Sequence, residues 1–154
     1  MNRKKAGLAG LLLGALLLSG GLAAADDPSG GEDARGSLTL EVPGLASNEG
    51  KIIIALFDSA EDFEKGDAFV RSAFVEPEDR GAVWTFGDLP FGEYAFRLFH
   101  DENGNEKIDT NWMGIPKERY AFSNDARGKF GPPGYEAAKF LFDSDGMTIQ
   151  VKLE

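Results

Sequence analysis

Asp101, Asn103, Asn105 and Asp109 bring oxygen-bearing side chains to positions 1, 3, 5 and 9 of a short loop that begins just after His100. That spacing lets oxygens converge on one hard cation in the manner of a calcium loop, with Lys107 at position 7 offering its backbone carbonyl. The ion it predicts is a structural Ca²⁺, weakly held. Position 12, which should carry a bidentate Glu, is Trp112, and position 6, where Gly makes a sharp turn, is Glu106. Two carboxylates and two amides put such a site in the range of extracellular modules, about 10⁻⁴ to 10⁻³ M. Asp125 or Glu102 is available elsewhere in the chain to complete the shell. The same residues also suit an Asx-rich turn in which side chains bond their own backbone. The spacing leaves both readings open.

A second polar group follows. Ser123, Asn124, Asp125, Arg127 and Lys129 lie between the aromatic residues Tyr120, Phe122 and Phe130. Aromatic faces with interspersed hydrogen-bonding groups suit a sugar or peptide surface, so Ser123, Asn124, Arg127 and Lys129 are candidate ligand contacts. The competing reading is a loop fastened down by its aromatic side chains, with Arg127 bridging carboxylates. His100 is the single histidine, and its strand parity puts it on an apolar face. There a buried, hydrogen-bonded ring is expected rather than a base or metal ligand. A Ser–His–acid set can be written from Ser123, His100 and Asp125, but no Gly-x-Ser-x-Gly elbow supports it. No catalytic residue is assigned. The residues favour a non-enzymatic binding module, with a carbohydrate- or small-molecule-acting enzyme built on the 101–134 loop as the alternative.

These groups need a frame, and the flanking sequence reads as strands. Residues 93–100 alternate, with Tyr94, Phe96, Leu98 and His100 on one side and Ala95, Arg97 and Phe99 on the other. Residues 37–42 put Leu38, Leu40 and Val42 on one face, and 51–57 (KIIIALF) read as a central strand covered on both sides. Further strands are expected over 69–75, 82–86, 138–142 and 147–153. Trp84 and Phe96 are core candidates. Ser59 to Asp62 resembles a capping box and Gly66 suits a helix stop, so one short helix should follow the second strand. About seven short strands with little helical periodicity predict an all-β protein, a single antiparallel β-sandwich of the Ig-like or prealbumin-like kind. A connection as long as 101–134 is unusual in a compact domain. Ile108, Trp112, Met113, Ile115, Tyr120, Phe122, Phe130 and Tyr135 give it apolar anchors, so it reads as a long ordered loop packed on the sandwich.

The N-terminus reads as a leader. Arg3, Lys4 and Lys5 precede an apolar run over 8–18, and Ala23 to Ala25 offer a cleavage site before Asp26. Domains are therefore expected as a signal peptide over 1–25, a disordered polar lead-in over 26–36 and a β-sandwich over 37–154. The expected location is periplasmic or secreted, with no membrane span after cleavage. Of 16 Lys+Arg and 26 Asp+Glu, three basic residues lie in the leader, leaving 13 against 26 and a formal charge of −13. Such a surface repels nucleic acid and anionic lipid and favours cations or basic partners. The expected partner is an envelope or extracellular ligand, whose identity and the oligomeric state the sequence does not give. There is no cysteine, so no disulfide or thiolate chemistry is available.

Three blocks carry a family resemblance: 101–111 (DENGNEKIDTN), 113–118 (MGIPKE) and 120–133 (YAFSNDARGKFGPP). In order and wording they resemble a bacterial family catalogued as domain of unknown function 2141, over about 38–153. The resemblance implies a secreted protein with no established activity. Residues 89–94 (LPFGEY) are also similar to a turn used by prealbumin-like and carboxypeptidase-regulatory-like sandwiches. Glu106 departs from the glycine expected in related loops.

Overall fold

The computed structural model describes residues 34–154. The expected leader and the lead-in through residue 33 lie outside the described residues. The elements are β1 (Arg35–Pro43), β2 (Lys51–Phe57), α1 (Ala60–Lys65), β3 (Arg71–Val75), β4 (Gly81–Pro90), β5 (Gly92–Asp101), β6 (Tyr120–Phe122), α2 (Tyr135–Ala138), β7 (Phe140–Phe142) and β8 (Met147–Gln150).

They form two sheets packed as a sandwich. One has the order β4-β1-β8 and the other β3-β2-β5-β6, with β7 paired to the start of β5. Alternation in β1 turns Leu38, Leu40 and Val42 inward against Ile52, Ile54 and Leu56 of β2 and Phe96 and Leu98 of β5. Burying each such side chain contributes about 1.5–3 kcal/mol, so this interior dominates the stability. In β4 the pairing slips between Gly36 and Leu38 of β1, so Leu89 and Phe86 are both buried although three residues apart. This bulge re-aims the strand after Asp88, whose φ is +51°.

Five expectations change. An eighth strand, β6, lies inside the long loop, where Tyr-Ala-Phe is too short to show a period. The sandwich is not wholly antiparallel, because β1 and β8 run parallel from Leu38–Met147 to Glu41–Gln150. The residues around 138 form a second short helix rather than the start of a strand. The final strand ends at Gln150, although Val151 and Leu153 remain buried. Trp84 does share the inward side of β4 with Ala82 and Phe86, but β4 is an edge strand and Trp84 is 39% exposed. Phe96 is buried as expected.

The short helix forms as its sequence dictates. The Ser59 hydroxyl accepts the Asp62 backbone N–H at 3.2 Å and donates to the Asp62 carboxylate at 2.8 Å. Gly66 ends the helix at φ +76°, with its N–H on the Asp62 carbonyl. The helix presents Phe63 to the outer face of the larger sheet. There Phe63 meets Phe57, Phe122 and Tyr135 edge to face, at 5.6, 6.1 and 5.8 Å between ring centres. This is a second, smaller apolar cluster, separate from the one between the sheets.

Candidate functional site

The loop after β5 is an array of Asx turns. Asp101 is fully buried at the end of the strand. One of its oxygens accepts the N–H groups of Gly104 and Asn105 at 2.8 and 3.1 Å, and the other accepts that of Glu106 at 2.9 Å. Asn103 Oδ1 holds the N–H of Asn105, and Asn105 Oδ1 holds that of Lys107. The Asn103 amide donates to Asp109 at 2.7 Å, and the Asn105 amide donates to the same carboxylate at 3.2 Å. The side chains at positions 1, 3, 5 and 9 are therefore drawn together, but around N–H groups rather than an oxygen-lined hole. Lys107 contributes its N–H to this array. Among the described residues, no three His, Cys, Asp or Glu side chains converge to hold a metal ion. A cation would require both amides to turn over.

Glu106 sits at φ +60°, the left-handed region that glycine accepts freely, and its side chain pairs with Lys51 at 3.0 Å. Glu102 accepts the Ser47 hydroxyl at 2.6 Å, and Asp125 lines the recess under the loop. Glu118 does the supporting instead, accepting the Asp109 N–H at 3.0 Å with one oxygen while the other is buried without a partner. Burial is the main cause raising its pKa, with Asp101, Asp109 and Glu102 adding to it against the Asp109 hydrogen bond. The acid at the end of the 113–118 block was its only sequence signal.

His100 is buried, with Nε2 2.8 Å from the Glu49 carbonyl and Nδ1 without a hydrogen-bond partner. Ser123 is buried too, its hydroxyl accepting the Phe96 N–H at 2.9 Å. The two are held on different backbone groups, and neither is arranged as a nucleophile with its base. Asn124 donates to the Lys139 carbonyl at 2.5 Å and fastens the turn over 123–125 to the entry of β7. Ser123 and Asn124 thus staple the loop, Arg127 pairs with the Glu154 carboxylate, and Lys129 borders open space.

That space is a cavity of about 850 Å³ against the outer face of the larger sheet, beneath the 108–133 part of the loop. Its floor includes Ile53, Ala55 and Phe57 of β2, and Arg97 and Phe99 of β5. Ile108, Met113, Ile115 and Phe130 border it from the loop. Five of the residues expected to anchor the loop are in fact exposed: Trp112 at 91%, Met113 at 58%, and Ile108, Ile115 and Phe130 likewise. The loop is held by other means. A bridge pairs Thr110 with Pro116, Asn111 Oδ1 takes the N–H groups of Met113 and Ile115, and Lys117 N–H bonds the Asp109 carbonyl.

Arg97 is the charge in this floor, and in the sequence it is only one of three residues on the second face of a strand. A basic residue amid Ala95 and Phe99 was the available signal. Its guanidinium lies 4.6 Å from the Phe63 ring centre, 5.7 Å from Phe57 and 5.9 Å from Phe122. Burial lowers its pKa, and Glu64 opposes that effect. The cavity also has Arg127, Lys129 and Lys152 at its wall, against Asp125 and Glu154. It is locally basic in an acidic chain.

A family model described as an uncharacterized protein conserved in bacteria (DUF2141) matches residues 40–150. No curated protein and no solved structure matches the chain.

Proposed function

The chain belongs to the DUF2141 family of uncharacterized bacterial proteins, and we propose that it is an exported, non-enzymatic binding module that takes a small ligand beneath its long loop. The observation that carries this is the recess beneath the loop. The second face of a sandwich sheet ordinarily meets solvent, whereas here a loop overhangs a half-open recess of about 850 Å³ on it. That volume lies within the range of small-molecule sites, and the walls combine apolar surface with a few polar groups. Export is supported by the basic-apolar-small pattern of residues 3–25 and would place the module in the periplasm or outside the cell. Among the described residues no helix is long and apolar enough to cross a membrane.

A neutral apolar dye is the test. Its fluorescence should rise saturably with the wild type and should not rise with Ala55→Trp, which fills the floor, provided that variant melts cooperatively. No saturable signal with the wild type removes the cavity reading.

The loop carries a separate proposal, weak structural Ca²⁺ binding by Asp101, Asn103, Asn105, the Lys107 carbonyl and Asp109. The drawing together of these side chains supports it. The Asx bonds that must be exchanged account for a low affinity, about 10⁻⁴ to 10⁻³ M. Ca²⁺ at about 5 mM should raise the melting temperature and EDTA should reverse the rise. Asp109→Ala should abolish that shift and Glu78→Ala should preserve it. A melting temperature indifferent to Ca²⁺ excludes the ion and leaves the Asx array as the sole source of order.

A further inference from the structure

We propose that the cavity takes a long-chain carboxylate, with its head on the Arg97 guanidinium and its chain along the apolar floor. This rests on the reading of the cavity as a binding site, and names what enters it.

Arg97 lies mid-strand, paired with Ala55 of β2 on one side and Phe122 of β6 on the other. One guanidinium nitrogen donates to the Phe63 carbonyl. Its Nε is buried and has no partner. None of the ion pairs among the described residues includes it. Withdrawing a cation from water is costly unless an opposite charge or hydrogen-bond acceptor meets it. Three ring faces and one carbonyl meet this one partly. Glu64 acts on it from a distance, but among the described residues no carboxylate forms an ion pair with it.

A carboxylate is the group that completes a planar guanidinium best, through paired charge-assisted hydrogen bonds. The rest of the cavity decides what the carboxylate is attached to. Ile53, Phe99, Ile115 and Phe130 line it, and Met113 stands exposed at its border. A small hydrophilic anion would leave that apolar surface wet, and a neutral lipid would leave Arg97 unpaired. An apolar chain ending in a carboxylate satisfies both. Arg127 is already paired with Glu154, while Lys129 and Lys152 form no ion pair among the described residues and keep the approach positive.

Decanoate and decanol, below the concentration at which they aggregate, separate these contributions by calorimetry on the full mature chain. The wild type should bind decanoate about ten- to a hundredfold more tightly than decanol, the value of one charged hydrogen-bonded contact. Arg97→Met should bring decanoate to the level of decanol and leave decanol unchanged. If neither ligand binds the wild type, the cavity reading falls and the carboxylate with it. If both bind equally, the cavity stands and the carboxylate assignment is overturned. Nuclear magnetic resonance of the wild type keeps the test open should Arg97→Met not fold. Decanoate, and not decanol, should shift the Arg97 Nε–H resonance, and an unmoved resonance at saturating decanoate overturns the proposal.

Discussion

Arg97 and Glu118 each carry a charge that the surrounding side chains leave incompletely met, and they do so in opposite ways. Arg97 waits for an anion, whereas Glu118 is crowded by Asp101, Asp109 and Glu102 in a partly buried setting. Its raised pKa means the folded state holds the Glu118 proton to higher pH than the unfolded chain does. The favourable contribution of the protonated acid is therefore complete below the ordinary carboxyl value and is lost as pH rises through the raised one. Glu118→Gln keeps an acceptor for the Asp109 N–H and removes the charge. It should raise the melting temperature at about pH 7, with the gain shrinking toward zero near about pH 4. A gain that is the same at both pH values would contradict this assignment. The Asx spacing could be read in the sequence because those bonds span two to five residues. Glu118 could not, since its bond to Asp109 depends on how the loop returns. Gly50 is similar. At φ +69° it lies so close to the Asp101 carbonyl that any side chain would overlap it, a contact only the folded chain reveals.

At the scale of elements, α1 is the piece that both closes the small apolar cluster and cages Arg97. Phe63 is fully buried and touches three aromatic rings, so Phe63→Ala should cost about 3–5 kcal/mol in denaturant unfolding. Ser59→Ala removes only the cap and should cost about 0.5–2 kcal/mol. Equal losses from the two would mean the helix is held by its ends rather than by its buried face. The boundaries of α1 could be read because capping chemistry is local. The strands β1, β2 and β5 could be read because alternation repeats over several residues. The strand β6 and the helix α2 are too short to show a period, and their form comes from what they pack against. Arg97 pairs with Phe122 across the β5–β6 ladder, so half of the candidate site depended on a strand without a sequence signal.

Taken whole, the molecule uses one sheet twice. Its inner face meets the β4-β1-β8 sheet, and its outer face holds α1, α2 and the long loop. The unbroken apolar run of β2 already implied cover on both sides. What it could not disclose was that the cover is incomplete, leaving Met113, Ile115 and Phe130 exposed around a cavity and Trp112 outward beyond it. Those residues look like packing in one dimension, since an aromatic side chain has the same hydropathy whether it roofs a core or rims an opening. The parallel pairing of β1 with β8 carries a different consequence, for the order in which the protein can be made. The first strand pairs with β4 on one side, but its other neighbour is the last strand, Leu38 beside Met147. Contacts so distant along the chain form slowly, because the intervening loop entropy must be overcome first. The smaller sheet cannot be completed until the last strand has been synthesised, and the β1 edge that takes β8 stays open for pairing until then.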